Sequence, residues 1–271
     1  MNILGSEIQK IKANYRTYGG LIVLWGLGIL IGINVWYNPS LLPLKHLGFR
    51  LSGLYIPALT LYPIAVVGPV IAVLIAGESI AGERIKGTLR MILTRPVPRI
   101  RIYFGKLSFI ILYSLFIVFS TLLITSFLGF LLFGGGSVIL PVDLNNISSG
   151  FFTLSAQEAI LRLLLAGLTV SFYILTYASI ALCLSSFMSH SLASPIFTLI
   201  FTAASTVVQN LEVFKPISPF LITHHLLSWQ NLMNQSIKWN SFHFSNIIMG
   251  FYFLSSLLIG ITIFNRKDET T

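Results

Sequence analysis

Six long apolar segments make up most of this 271-residue sequence, and they constrain its fold more than any other feature. A helix needs ~20 residues, at a rise of ~1.5 Å per residue, to cross ~30 Å of hydrocarbon, and each segment meets that length. The segments are residues 19–37, 54–77, 104–133, 161–187, 191–211 and 244–264. Hydrophobic residues make up 55% of the chain and charged residues only 9%, which excludes a soluble globular domain. We therefore predict an all-α, polytopic membrane protein whose six transmembrane helices form one domain over residues 19–265.

The distribution of lysine and arginine predicts how these helices are oriented. The stretch 82–106 contains seven of the 17 basic residues, and the two ends of the chain contain further ones. Because cytoplasmic flanks of spans are enriched in such residues, both termini are predicted to be cytoplasmic, with a tail over residues 266–271, in a multi-pass protein of the plasma membrane. The net charge of +9 is explained by this orientation and by contact with membrane lipid, so no nucleic-acid partner is expected.

The first 18 residues have the pattern of a helix that lies on the membrane surface. Their apolar side chains recur at helical spacing and form one stripe, while Lys12 and Arg16 fall on the other side. The stripe consists of Leu4, Ile8, Ile11, Tyr15 and Tyr18. We predict an amphipathic interfacial helix over residues 1–18. A cytosolic helix packed on a partner would have the same pattern.

Two segments on the predicted outer side differ from the spans. Residues 134–157 are rich in glycine, serine and asparagine, which predicts a loop. Within residues 212–243 apolar side chains recur at helical spacing, so we predict a short amphipathic helix that is interfacial or re-entrant. Those side chains are Ile222, Leu226, Trp229 and Met233. Asn146 and Asn234 begin the glycosylation sequons Asn-Ile-Ser and Asn-Gln-Ser, which agrees with an outer location.

The predicted cytoplasmic loop, residues 78–103, contains an apolar stripe flanked by cations. The stripe consists of Ile85, Leu89 and Ile92, and the cations are Arg84, Lys86 and Arg90. A short helix of this kind can bury one edge in a partner's cleft. The same cations also suit anionic lipid and the orientation of the chain. Glu83 is expected to pair with Lys86 or to face the partner, and Lys106 is assigned to the membrane surface at the start of the third span.

This loop resembles the first cytoplasmic loop of type-2 ABC export permeases, the membrane subunits of drug, lipid, polysaccharide and peptide exporters. That family has a glutamate before Gly-Thr-Leu, then an apolar pair, a Pro-Val with a nearby arginine, and a Gly-Lys at the start of the third span. The matching positions here are Glu83, Gly87-Thr88-Leu89, Ile92-Leu93, Pro96-Val97, Arg99 and Gly105-Lys106. The six-span pattern and Ser218-Pro219-Phe220 extend the resemblance over nearly the whole chain.

The resemblance implies the permease subunit of an ATP-driven exporter. Such a subunit forms a dimer with a second permease copy, identical or related, and binds two copies of a separate ATPase. The ATPase would hold ATP and Mg²⁺, so this chain would carry no catalytic residue, metal or cofactor of its own. The residues implied to couple the chain to the ATPase are Glu83, Arg84, Ile85, Gly87, Thr88, Leu89 and Arg90.

Polar side chains follow one face of the fifth apolar segment at helical spacing. They are Ser194, Thr198, Thr202, Ser205 and Gln209. One interpretation is the wall of a translocation path, for which the candidates are Thr198, Thr202, Ser205 and Gln209. The other is that the hydroxyls bond back to their own helix and permit tight packing. The sequence favours neither.

Other functions lack the residues that they need. Residues 82–88 read G-x-x-x-x-G-T, without the lysine of a phosphate-binding loop. His224, His225 and His243 have no carboxylate or cysteine nearby to complete a metal site. After Lys106 no charged residue lies in the middle of a span, which argues against proton relays. An ion-coupled secondary transporter or a channel-like protein without an ATPase is the alternative, and an enzyme is not expected.

Overall fold

The computed structural model describes residues 15–38, 52–88, 98–143, 146–188 and 190–266. Six α-helices form the framework of this part of the chain. They are α1 (Tyr15–Tyr37), α2 (Tyr55–Ile85), α3 (Arg99–Phe133), α4 (Ala156–Phe187), α5 (Ala193–Asn210) and α6 (Trp239–Arg266). A β-hairpin lies between α3 and α4, and a series of short 3-10 helices lies between α5 and α6.

Five of these helices, α1, α2, α3, α4 and α6, are long and apolar enough to cross a membrane. The sixth, α5, forms where the fifth span is predicted, but it has 18 residues and several of its side chains are polar. At ~1.5 Å per residue it is about 27 Å long, slightly shorter than a hydrocarbon core of ~30 Å. The prediction of a helical, multi-pass membrane protein is confirmed.

The centre of the helix bundle is formed by α2, α3 and α4. Their apolar stretches are 50%, 50% and 61% buried, whereas those of α1 and α6 are only 22% buried. Glycines allow the helices to approach closely. A Cβ at Gly68 would lie 2.6 Å from Cδ1 of Ile174 in α4, and one at Gly28 would lie 2.6 Å from Cγ2 of Thr125 in α3. Gly28 and Gly32, four residues apart on α1, both face α3 and form the surface of α1 that packs on α3.

The second span is longer than predicted. The helix that begins at Tyr55 continues past residue 77 to Ile85, so α2 includes the first residues of the predicted docking helix. Ile85 therefore ends a long helix and does not begin a separate short one. Residues 86–88 follow it, and the remainder of the predicted docking helix, from Leu89 onward, lies outside the described residues.

A β-hairpin occupies most of the segment predicted to be a loop, residues 134–157. Strand β1, Val138–Asp143, pairs in antiparallel orientation with β2, Asn146–Leu154, and Val138 lies opposite Leu154. Both of these side chains are buried. The short apolar run in β1 forms the strand, although the glycines, serines and asparagines around it predict only turns. The all-α prediction is wrong at this hairpin.

The segment predicted as a short outer helix, within residues 212–243, contains four 3-10 helices before α6 begins at Trp239. They are Glu212–Phe214, Ser218–Phe220, Ile222–His225 and Ser228–Leu232. Ile222, Trp229 and Met233 of the predicted stripe are buried, so the pattern identified buried side chains correctly. Pro219 removes a backbone donor within this segment, which favours short turns over a continuous helix.

Arg162 of α4 binds this 3-10 segment. Its guanidinium donates to the carbonyls of Leu232 at 3.2 Å and Asn234 at 2.7 Å, and it pairs with Glu158 at 2.7 Å. Asn234 is only 2% exposed. The sequon at Asn234 is therefore inaccessible to a glycosylating enzyme in the folded chain, whereas Asn146 lies at the start of β2.

The amphipathic helix predicted for residues 1–18 lies mostly outside the described residues. Its last four positions belong to α1, which begins at Tyr15. The first candidate span begins within these positions, at Thr17.

Candidate coupling site

The residues predicted to couple the chain to a partner begin in the last turn of α2. Glu83, Arg84 and Ile85 end the helix, and Gly87 follows with a φ of +71°. Glycine adopts this left-handed conformation without the steric cost of a side chain, which is why it commonly ends helices. The Gly87 amide donates to the Arg84 carbonyl at 3.1 Å, and the Thr88 hydroxyl donates to the Glu83 carbonyl at 3.2 Å.

Glu83 forms an ion pair with Lys106 of α3. The distance between Oε2 and Nζ is 2.8 Å, and the side chains are 13% and 1% exposed. The Lys106 ammonium also donates to the Ser79 carbonyl at 2.7 Å. The predicted pairing of Glu83 with Lys86 and the predicted position of Lys106 at the membrane surface are both wrong. A buried ammonium group needs a charged partner far more than an exposed ammonium group does, because no water solvates its charge.

Arg84 binds the C-terminal end of α4. Its guanidinium donates to the carbonyl of Met188 at 2.6 Å and to that of Ser186 at 3.3 Å. The last carbonyls of a helix have no partner within the helix, and they carry the negative end of its dipole, so a cation stabilises them. Glu83 and Arg84 are adjacent in the sequence and hold two different helices, α3 and α4.

The preceding turns of α2 contact α4 and α5. The hydroxyl of Ser185 in α4 donates to the Gly77 carbonyl at 2.6 Å and accepts from the Ala81 amide at 2.9 Å. Pro195 of α5 packs against the same turn, since a Cβ on Gly77 would lie 2.5 Å from its Cδ. The end of α2 is thus bonded to or packed on three neighbouring helices. We call this group the α2 junction: Gly77, Glu83, Arg84, Lys106, Ser185 and Pro195.

Only part of the predicted coupling set faces outward. Ile85 is 58% exposed, and Thr88 is exposed as well. Glu83 and Arg84 are half-buried and bonded within the chain. Leu89 and Arg90 lie outside the described residues. A partner that binds this end of the described chain can therefore reach Ile85 and its C-terminal neighbours, but it cannot take Glu83 without breaking an ion pair.

One signal in the sequence could have identified Lys106 as part of the site. It lies within the apolar segment 104–133, where a charged side chain must find a partner because lipid offers none. Glu83 is one of the few acidic residues near the same end of the spans. Ser185 has no such signal, since α4 contains several serines and nothing in their spacing distinguishes this one.

The polar stripe of α5 packs against α2 and α4. Thr198 and Ser205 are buried, and Thr202 and Gln209 are half-buried. Each of the three hydroxyls donates to a carbonyl of α5 itself, and Gln209 accepts from the Thr223 hydroxyl at 2.9 Å. This geometry matches the packing interpretation of the stripe. A path along the stripe requires α5 to move away from its neighbours.

The histidines at the other end of the helices form no metal-binding group within the described ranges of the chain. His225 is buried, with Nε2 2.8 Å from the Pro219 carbonyl and Nδ1 3.0 Å from the Ser245 hydroxyl. Because a carbonyl only accepts, Nε2 carries the proton and Nδ1 accepts from Ser245. Burial lowers the pKa of His225 below its ordinary value, and the bond to Pro219 opposes this in part. His225 is thus a neutral link between the 3-10 segment and α6.

These features define a class of protein, namely a predominantly helical, multi-pass membrane protein whose spans are joined at one end by a buried ion pair. The chain belongs to the family described as "Protein of unknown function (DUF2705)", whose model matches residues 50–270. The matched range includes α2 to α6 and every residue of the α2 junction. No curated protein matches the chain.

Proposed function

We propose that this chain is the membrane-spanning permease subunit of an ATP-driven ABC exporter. In this proposal six helices span the plasma membrane, both termini are cytoplasmic, and two permease copies enclose the substrate path. Separate ATPase subunits bind the loop after α2 and hold ATP and Mg²⁺. The chain is then a transport subunit that carries out no catalysis and has no cofactor of its own.

One observation carries the proposal: the first and last residues of the loop motif contact each other. Glu83 precedes Gly-Thr-Leu, Lys106 completes Gly-Lys, and their side chains form the buried ion pair of the α2 junction. The motif residues between them include the segment after Ile85, where a partner would bind. The motif is therefore more than a set of surface cations, because its two ends also join α2 to α3.

The α2 junction supplies the mechanical link that an ATP-driven exporter needs. A partner that moves the loop pulls on α2, on α3 through Lys106, and on α4 through Arg84. Transport requires the spans to change between discrete arrangements when the ATPase subunits close, and rigid-body movement of bonded helices is one way to achieve this. The ion pair and the arginine make these three helices move as a unit.

We further propose that the substrate path runs along the polar stripe of α5 in a second conformation. Thr198 and Ser205 are buried here, and Thr202 and Gln209 are half-buried. In this proposal the stripe becomes fully accessible when α5 separates from its neighbours. Pro195, near the start of α5, packs on Gly77 of α2. Movement of α2 would therefore reach α5 by direct contact.

Copurification tests the proposal. The tagged full chain is extracted from the membranes of its own cells in a mild detergent, and the fraction is assayed for ATP hydrolysis and for accompanying chains. We expect an ATPase subunit in an amount equal to the permease. If the chain reconstituted alone drives full transport in response to an ion gradient, the alternative of a secondary transporter is correct.

A further inference from the structure

An open groove of about 620 Å³ lies at the end of the bundle opposite the α2 junction. The 3-10 segment before α6 forms one wall, and the first two turns of α6 form the other. Five polar side chains line it, together with one aromatic ring. They are His224, Gln230, Asn231, Asn240 and Ser241, with Phe244 beside them.

These five side chains make no hydrogen bond to another protein group within the described ranges. Their neighbours at the back of the groove are engaged, since Ser228 bonds to Tyr173 of α4 and His225 bonds to Ser245. The back wall is thus held in place by the fold, while the front presents free donors and acceptors. Such a division is typical of a binding site that is formed before its ligand arrives.

The groove contains no lysine, arginine, aspartate or glutamate. A phosphate, a carboxylate or an amine would therefore find no opposite charge. Gln230, Asn231 and Asn240 each offer two amide donors and an accepting carbonyl, and Ser241 offers a hydroxyl that does both. A ligand with several hydroxyl groups can satisfy them, because each hydroxyl also donates and accepts.

The aromatic residues indicate how deep the groove lies in the membrane. Phe244 is 43% exposed and presents an apolar face beside the amides. Trp239, the first residue of α6, is 49% exposed and stacks on His243. Exposed tryptophan at the start of a span is characteristic of the interface with lipid headgroups. The groove is therefore level with the headgroups, where its ligand must also be.

We propose that this groove binds a neutral glycosyl group, with the sugar hydroxyls on the amides and a ring face on Phe244. Two sources have this chemistry: the headgroup of a glycolipid and a free oligosaccharide. The proposal depends on the position of α6 in the membrane and is independent of the ATPase partner. It assigns a ligand class to the end of the molecule farthest from the loop.

Binding is measured with the full chain in lipid nanodiscs, prepared without sugar-based detergents because these would occupy the groove. The discs contain phosphatidylcholine with or without a diglucosyldiacylglycerol, and lipid retained by the protein is counted by native mass spectrometry. We expect the glycolipid to be retained in preference to phosphatidylcholine. Replacing Asn231→Leu and Asn240→Leu together should weaken glycolipid retention roughly tenfold or more. Gln235→Leu, at an exposed amide of the same segment that does not line the groove, should leave it unchanged.

Two competitors are added in turn, a disaccharide that distinguishes the two sources and a tripeptide that tests the ligand class. A free glucose disaccharide that displaces the glycolipid identifies the saccharide itself as the ligand, and failure to displace it identifies the lipid-borne headgroup. Either result supports the proposal. Equal retention of the two lipids by the unaltered chain would overturn it, and so would displacement by a neutral tripeptide but by no saccharide. If the double variant does not fold, Asn240→Leu alone, at an exposed position, must show the loss.

Discussion

Glu83 and Lys106, which lie at the two ends of the loop motif, form an ion pair with 2.8 Å between carboxylate and ammonium. The last turn of α2 and the first turns of α3 are therefore joined directly. Arg84, the next residue, binds the last carbonyls of α4. A partner that holds the loop thus acts on three helices at once, which is the basis of the proposed coupling.

Replacing Lys106→Met should destabilise the folded chain by about 3 kcal/mol, because Glu83 is left as a half-buried charge without this partner. The measurement is unfolding of the purified chain followed in detergent. Adding Glu83→Gln should restore part of the loss, since the charge that has lost its Lys106 partner is then removed. Lys215→Met is the matched control. It breaks an exposed pair with Glu212, in which the side chains are 72% and 90% exposed, and should change nothing measurable.

Replacing Gly77→Ala should loosen the contact between α2 and α5. The new Cβ would lie 2.5 Å from Pro195 Cδ and 2.9 Å from its backbone nitrogen, so one helix must shift. We expect a loss of about 1–3 kcal/mol in the same unfolding measurement. Gly26→Ala is the control, because no atom lies within 4 Å of its Cβ position. Equal stability of the two variants would show that α5 does not pack tightly on α2.

Acidification should weaken the packing of the 3-10 segment on α6. The pKa of His225 is lowered in the folded chain, so the unfolded chain binds its proton more readily. The stabilising contribution is therefore complete above the ordinary histidine pKa of ~6.5 and decreases as the pH falls below it. The thermal midpoint should drop over this range. In His225→Gln, which cannot gain the proton, that part of the drop should disappear; an identical slope in both proteins would contradict the account.

The proposed path predicts a change in accessibility at Thr202. Cys183 is the only cysteine of the chain, and Cys183→Ala removes it. In this background Thr202→Cys should resist a water-soluble thiol reagent in the resting state, because position 202 is half-buried. It should be modified during ATP turnover, when α5 separates. Phe197→Cys is the control. Its position is 55% exposed on the other side of α5, where the proposed span faces lipid, so the water-soluble reagent should not reach it in either state. If Thr202→Cys is closed in every nucleotide state, the stripe serves packing alone.

The spans could be predicted because a run of about 20 apolar residues in lipid has few alternatives to a helix. The hairpin could not, since the short apolar run at Val138 is surrounded by residues that predict turns. In the 3-10 segment, the buried side chains were predicted correctly but the backbone conformation was not. Trp229 and Met233 are spaced as on an α-helix, and a series of 3-10 turns buries the same side chains.

Residues of the candidate site could be predicted only where a single stretch of sequence contains the motif that identifies them. Glu83 and Ile85 were identified from the loop motif itself. Lys106 was in the same motif, but its burial depends on how α3 packs on α2. Ser185 and Pro195 come from other helices, and their contacts with α2 follow from the arrangement of the bundle, which no local pattern encodes.

The most direct test of the proposed coupling measures the ATPase activity that copurifies with the chain when either of two exposed apolar residues is replaced. Ile85, 58% exposed, lies at the start of the loop, and Val213, 83% exposed, lies at the opposite end of the bundle. We expect ATPase activity to accompany the unaltered chain and the Val213→Asp variant, and we expect Ile85→Asp to lose this activity while still inserting in the membrane. Equal activity with both variants, or none with the unaltered chain, would contradict the proposed coupling.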